Sequence, residues 1–301
     1  MKKGNNRYQH LIRTAGLVGA VMATGSIQAG EEIDRSLDAA PDGAVHIRNT
    51  RGEIDVKGWD KNQVRVKGEL DDLTEEFIFE ADDKVTTIRV EMEKRSISHG
   101  DGSDLEIWVP SGSKVWFEGV SSDFDISNIS GGSSIKTVSG DIHAEGLSER
   151  IQINAVSGDV EIEDSTAKIK ITTVSGDMEI KANADAAAFS TVSGDIEAEL
   201  GTYSKLSVSS VSGEIEVSGS LADSGNVSAE SVSGEVHLHF NGAVNAEVTA
   251  RAGIGGDIEN GLNDQRPKEK FPGGARLSTR VGEGEGRVKV GTVSGDIRLT
   301  N

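Results

Sequence analysis

From residue 111 onward the chain alternates apolar and polar positions around a polar corner that recurs. Val-Ser-Gly followed by an acid stands at Val138–Asp141, Val156–Asp159, Val174–Asp177, Val192–Asp195, Val211–Glu214, Val232–Glu235 and Val293–Asp296, with successive valines 18, 18, 18, 19, 21 and 61 residues apart. Aligned on the valine, apolar residues recur five and three positions before it, as in Ile151 and Ile153, Ile169 and Ile171, or Leu206 and Val208. They recur again four and six positions after it, as in Ile142 and Ala144, Ile196 and Ala198, or Ile215 and Val217. Period-two alternation on both sides of a Ser-Gly corner predicts two short strands per unit. A polar connection such as Glu163–Lys168 leads to the next unit.

A lone unit of this size buries too little apolar surface to offset the entropy of ordering it, so stability must come from stacking on neighbours. The pattern predicts an all-β fold: a parallel β-solenoid of about ten turns over residues 111–301, each an ~18-residue, two-strand turn. Five side chains per turn are expected inside, the valine among them. A left-handed helix of hexapeptides has the same turn length, but its third side fails: Val138 and Ala144 are followed by Arg150, and Val156 and Ile162 by Lys168. An antiparallel meander turning at Ser-Gly would pair each valine with an acid on one face. Upstream, Val120–Asp123 keeps the register with Ser122 in place of glycine, and Ile254–Asp257 reads as a degenerate copy inside the long gap.

Residues 30–110 lack the corner yet read as strands, among them Gly52–Val56, Gln63–Lys67 and Leu105–Val109. They are expected to form an irregular N-terminal β cap, continuous with the solenoid, that covers an otherwise unpaired strand edge. At about 260–286, Pro267, Pro272 and several glycines predict an excursion loop. Residues 1–29 combine Lys2, Lys3, Arg7 and Arg13 with an apolar run from Ala15 to Ala23 and the small-residue exit Ser26–Ala29. That layout predicts a signal peptide cleaved after Ala29. The run is too short to span a bilayer, so the mature chain is expected to carry no transmembrane segment and to be periplasmic or secreted.

Composition narrows the function. With 31 Lys and Arg against 50 Asp and Glu the net charge is −19, and −23 without the four basic residues of the leader. This balance opposes nucleic acid and anionic surfaces as partners. The absence of cysteine removes disulfides, thiolate metal sites and Cys nucleophiles.

Candidate chemistry is sparse. In a stack the acids of the corner form a column, and Asp141, Asp159, Asp177 and Asp195 are the candidate ligands of a cation ladder, with Ca the suitable ion. The competing reading is that these carboxylates accept hydrogen bonds from corner amides. Neighbours at strand spacing would otherwise repel by about 0.9 kcal/mol in water. The corner serines suggest a hydroxyl ladder rather than nucleophiles. His237 and His239 share a strand face but lack an obvious third ligand. Asp101–Asp104 reads as a plain turn or a small calcium loop, and Gly282–Gly286 precedes a strand and so lacks the context of a dinucleotide site. Trp59, Trp108 and Trp116 suggest either a sugar-stacking platform or a cover for the cap, with at least one of Trp108 and Trp116 facing outward. No catalytic or cofactor-binding residue is expected.

Taken together, Gly52–Val56, Asp104–Pro110, the Val-Ser-Gly-acid series and Gly282–Val290 leading to Thr292–Ile297 resemble the bacterial "putative adhesin" domain family over residues 30–301. The resemblance implies an exported β-rich repeat protein of the cell envelope and brings no catalytic residue. The resulting expectation is a non-enzymatic structural or adhesin-like binding protein that presents an acidic solenoid face to an envelope component or protein partner. The alternatives are a polysaccharide-active enzyme on a β-helix and a periplasmic accessory of an envelope stress response.

Overall fold

Strand alternation decides which residues enter the core, and the neighbouring unit decides what they meet there. The structure is a computed structural model describing residues 30–93, 102–269 and 273–301. The expected signal peptide and Asp101 lie outside the described residues. The described chain is all-β. Its first part comprises β1 (Glu32–Asp38), β2 (Ala44–Arg48), β3 (Arg51–Trp59), β4 (Gln63–Glu69), β5 (Thr74–Asp82), β6 (Val85–Met92) and β7 (Asp104–Pro110). The repeats begin with β8 (Lys114–Glu118), β9 (Ser121–Ser127), β10 (Ser133–Thr137), β11 (Ile142–Glu145), β12 (Ser148–Ala155) and β13 (Val160–Thr172). They continue through β14 (Met178–Asn183), β15 (Ala186–Ser190), β16 (Ile196–Ser212), β17 (Ile215–Ser233) and β18 (Val236–Phe240). Last come β19 (Ala246–Ala252), β20 (Ile258–Asn260), β21 (Lys268–Glu269), β22 (Ala275–Val281), β23 (Gly286–Ser294) and β24 (Ile297–Thr300).

Consecutive units stack in parallel and in register. Ile151 lies beside Ser133 and Ile169, and Val160 beside Ile142 and Met178. The residues before each corner form one sheet and those after it a second, with the apolar columns facing each other between them. The long strands β13, β16 and β17 bend from the second sheet back to the first. Val174 and Val192 accordingly sit in adjacent layers, their serines bridged in parallel.

The stacking order departs from chain order at both ends. At the start, β2 and β3 lie between the layer of β6 and β7 and the layer of β8 and β9. At the finish, β23 and β24 slip between β17–β18 and β19–β20. The first and last units of the chain are therefore each the second layer from an end. Antiparallel strands finish the stack: β5 on β6, β4 on β7 and β1 on β4 at one end, β22 on β19 at the other. Residues 260–286 thus carry β21 and β22 as well as connecting loop, and the degenerate copy supplies the outermost corner. There Gly256 and Asp257 match Gly295 and Asp296, while Ile254 projects from a corner one residue longer.

The corner glycine has two requirements that only glycine meets. Gly176 has φ +118°, and a Cβ there would stand 2.1 Å from the Gly158 carbonyl oxygen in the layer beside it. The same geometry recurs at Gly158, Gly194, Gly213 and Gly234.

One expectation is corrected. The valine of the corner faces solvent: Val120, Val138, Val156, Val174, Val192, Val211 and Val232 are 46–50 % exposed, and Val293 is 64 % exposed. Residues five, three and one before the valine point inward, and the pleat then turns the valine itself out. The inward place is filled by Thr137, Ala155, Thr173, Thr191, Ser210, Ser231 and Thr292, all buried. Thr173 donates to Thr191 at 3.1 Å and Thr137 to the Ser139 carbonyl at 2.9 Å, so part of this hydroxyl column bonds within itself or to the corner.

Candidate functional site: an acidic sheet edged by a valine ridge

The exposed valines form a continuous apolar ridge along the stack, one per layer from Val120 to Val232, then Val293. Three residues beyond each valine comes the acid column. The amide of Asp141 donates to Asp123 Oδ1 at 2.9 Å, Asp159 to Asp141 at 2.9 Å, Asp177 to Asp159 at 2.8 Å and Asp195 to Asp177 at 2.8 Å. Glu214 donates likewise to Asp195 at 2.7 Å. Each of the four ladder candidates, Asp141, Asp159, Asp177 and Asp195, therefore has one carboxylate oxygen occupied by an amide of the next layer. A short side chain is needed to reach that amide, which accounts for Asp over Glu through most of the column. Among the described residues no group of three or more His, Asp or Glu side chains is set to hold a metal ion.

A second acid column lies two residues further along the strand. Glu161, Glu179, Glu197 and Glu216 stand side by side in four successive layers. A histidine ends the row on each side. His143 Nδ1 is 3.1 Å from Glu161 Oε2, and His237 Nδ1 is 3.4 Å from Glu216 Oε1. Two residues beyond Glu179 on its strand, Lys181 makes the compensating ion pairs, at 2.5 Å to Glu179 in the row and 3.7 Å to Glu163 beside it. The outer face of the second sheet is therefore strongly negative from Asp123 to Glu216. At its N-terminal end burial pushes the Asp125 carboxyl above the usual aspartate range, opposed by His143 and Lys57 and reinforced by Asp55 and Asp123. The glutamate row was missed in the sequence because only the corner acid belongs to the repeated tetrapeptide; strand parity was the available signal.

The other candidates separate. His237 and His239 both approach Thr300 Oγ1, at 3.1 and 2.8 Å. Trp108 and Trp116 both face outward, opposite the buried Ile107 and Phe117, but on different sheets, so the three tryptophans form no common platform. Trp59 and Trp108 lie 6.2 Å apart beneath Lys61 and Arg65, beside β4, whereas Trp116 packs on His46 at 4.8 Å. Ser139 donates to Ser121 at 3.3 Å, part of the expected hydroxyl ladder. Gly284 donates its amide to Asn245 at 2.8 Å in the turn before β23.

With this geometry established, the comparison with known families is decisive: the Toastrack DUF4097 model matches residues 44–300. The chain belongs to the Toastrack family. The match spans the stack from β2 to β24, including both inserted units. Among solved structures, Toastrack-like topology recurs in a "putative lipid binding protein" from Parabacteroides distasonis, with a TM-score of 0.53 and 14 % identity over 91 % of this chain and 99 % of that one. A "putative adhesin" from Bacteroides fragilis aligns with a TM-score of 0.47 and 15 % identity over 91 % and 99 % of the two chains. No curated protein matches the chain. Among the described residues no helix is long and apolar enough to cross a membrane.

Proposed function

We propose that this Toastrack protein is an exported, non-enzymatic binding protein of the bacterial cell envelope that holds an extended, cationic partner along its second sheet. The observation that carries this reading is the valine ridge. Large apolar side chains left exposed in layer after layer mark a contact surface rather than chance. They border two acid columns at strand spacing, so a polypeptide with apolar residues over the ridge and basic residues over the acids satisfies both. The name of the Parabacteroides distasonis relative, a "putative lipid binding protein", agrees with a binding role. Export rests on the residues of the leader.

The test is retention of the full chain on washed envelope fractions, compared with Val156→Asn/Val174→Asn/Val192→Asn and with Glu161→Gln/Glu179→Gln/Glu197→Gln. Both variants are expected to lose retention, the second with a weaker salt dependence as well. Undiminished retention by both would overturn the reading, and turnover of a glycan in the fraction would replace it with an enzymatic one. Removing residues 2–29 is expected to leave the protein in the cytoplasm on fractionation.

A further inference from the structure

The first sheet carries a feature of the opposite sign. Six positions before each corner valine the outward column brings Arg150 directly beside Lys168, and Lys205 beside Ala186 one layer further on. Lys170 lies on the same outward face as Lys168, two residues along the strand. Ala186 and Ala188 occupy the layer between Lys168–Lys170 and Lys205, and their short side chains leave a notch walled by the lysines, with Arg150 at its end. Its volume is about 180 Å³, roughly six liquid waters at ~30 Å³ each. That holds a phosphate-sized group and no folded partner.

Three observations make this more than a solvated charged face. All four cations are exposed, and none makes an ion pair among the described residues, whereas more than half of the other described Lys and Arg side chains do. Glu149 and Asp185 adjoin the cluster in sequence and pair with none of the four. Like charges directly opposite on neighbouring strands are unfavourable, so Arg150 beside Lys168 is a standing cost that a bound anion relieves. Finally, the cluster concentrates four positive charges on a chain of net charge −19. The global balance argues against anionic partners; the local arrangement is a confined exception.

We infer that this notch binds a phosphate-bearing ligand, with Lys168, Lys170 and Lys205 as point charges and the Arg150 guanidinium as a fork for a pair of phosphate oxygens. The site lies on the outer face of the first sheet, on the same strands as the valine ridge and four to six residues before it, as Lys205 and Val211 on β16 show. The acid columns lie beyond the ridge on the second sheet, so its test is separate from that of a partner on the acid columns.

The experiment is calorimetric titration of the full chain with pyrophosphate at low ionic strength. In parallel, the chain is floated with phosphatidylglycerol–phosphatidylcholine vesicles, with pure phosphatidylcholine vesicles as the neutral reference. Lys168→Gln/Lys205→Gln is expected to weaken pyrophosphate binding roughly tenfold or more, since two charge-assisted contacts are lost. Lys168→Arg/Lys205→Arg is expected to keep it, as is Lys136→Gln, which removes a cation already close to Glu118. Because the exposed lysines hold no ion pair, thermal melting of the arginine variant should match the parent and that of the glutamine variant should match it or rise slightly as the repulsion between Arg150 and Lys168 is relieved, separating lost binding from lost folding. Flotation on the anionic vesicles that fails in the glutamine variant assigns the phosphate to a lipid headgroup; pyrophosphate binding without flotation assigns it to a soluble ligand. Absence of pyrophosphate binding, or equal binding by the parent and the glutamine variant, overturns the inference.

Discussion

Replacing Gly176 by alanine probes the corner most directly, and two other glycines separate its causes. At φ +118° a side chain is strained wherever it sits, at a cost of about 1–3 kcal/mol. At Gly176 the new Cβ would also stand 2.1 Å from Gly158 O, closer than any real contact, so the two layers must part by about an ångström. That displacement stretches the amide bonds Ser175 N to Val156 O at 2.9 Å and Asp177 N to Asp159 Oδ1 at 2.8 Å, each contributing about 1 kcal/mol. The total is about 3–5 kcal/mol. Gly242 has nearly the same backbone, φ +115°, but nothing within 4 Å of the added atom, so Gly242→Ala should lose only the strain. Gly291 has neither a positive φ nor a neighbour within 4 Å, and Gly291→Ala should be neutral or slightly stabilising. Urea unfolding followed by circular dichroism should rank the midpoints in that order. A gap of about 2 kcal/mol between the first two variants corresponds to about 1 M urea at a slope near 2 kcal/mol/M. Equal losses at Gly176 and Gly242 would show that backbone conformation alone selects glycine, and the argument from close stacking would be wrong.

Three further outcomes are expected. Val174→Asp should leave the melting temperature within a few degrees of the parent, whereas Ile171→Asp, placing a carboxylate between the sheets, should unfold the middle of the stack; a collapse at Val174 would refute its outward placement. Burial opposes ionisation of Asp71, but the Arg51 guanidinium and the Leu73 and Gly102 amides outweigh it and hold its carboxyl below the usual 3.8. Its stabilising contribution is then complete at neutral pH and lost as the pH falls through that depressed value, so Asp71→Asn should lower stability at pH 7 and flatten the acid limb of a pH-melting curve. Chelator should leave melting unchanged, because the corner aspartates are tied by amides of the next layer; a marked drop that calcium restores would revive the cation ladder.

The repeat made the parallel stack legible, because three equal steps of 18 residues fix a register that the in-register pairs of β10 to β16 display. Parity at the corner departs from the expectation because apolarity alone does not decide burial: Val174 directly follows the inward Ile171–Thr173 alternation and must face out, while Thr173 goes in despite its hydroxyl. Alternation outranks side-chain chemistry where a strand runs unbroken into a turn. The insertion of β2–β3 and β23–β24 as penultimate layers left no local signal, since a unit's neighbours are chosen by the connections around it. The glutamate row and the basic notch were present in the sequence as the outward positions between the apolar columns. They became sites only once neighbouring layers fixed which charges stand side by side and which have a partner.

The inserted units bear on how the faces are maintained. A solenoid built in simple chain order frays from its ends, because a terminal layer is held by one neighbour only. Here the units nearest the two chain ends each pair on both sides, and the outermost layers are internal segments backed by the antiparallel strands β5, β4 and β22. Releasing either inserted unit requires breaking two parallel ladders at once, so the layers between them form one cooperative block. The acidic sheet, the valine ridge and the basic notch all lie within that block. Their charges are therefore held at fixed strand spacing despite repulsion along the glutamate row and between Arg150 and Lys168. A partner that matches the spacing meets a surface already ordered and avoids most of the entropic cost of arranging it.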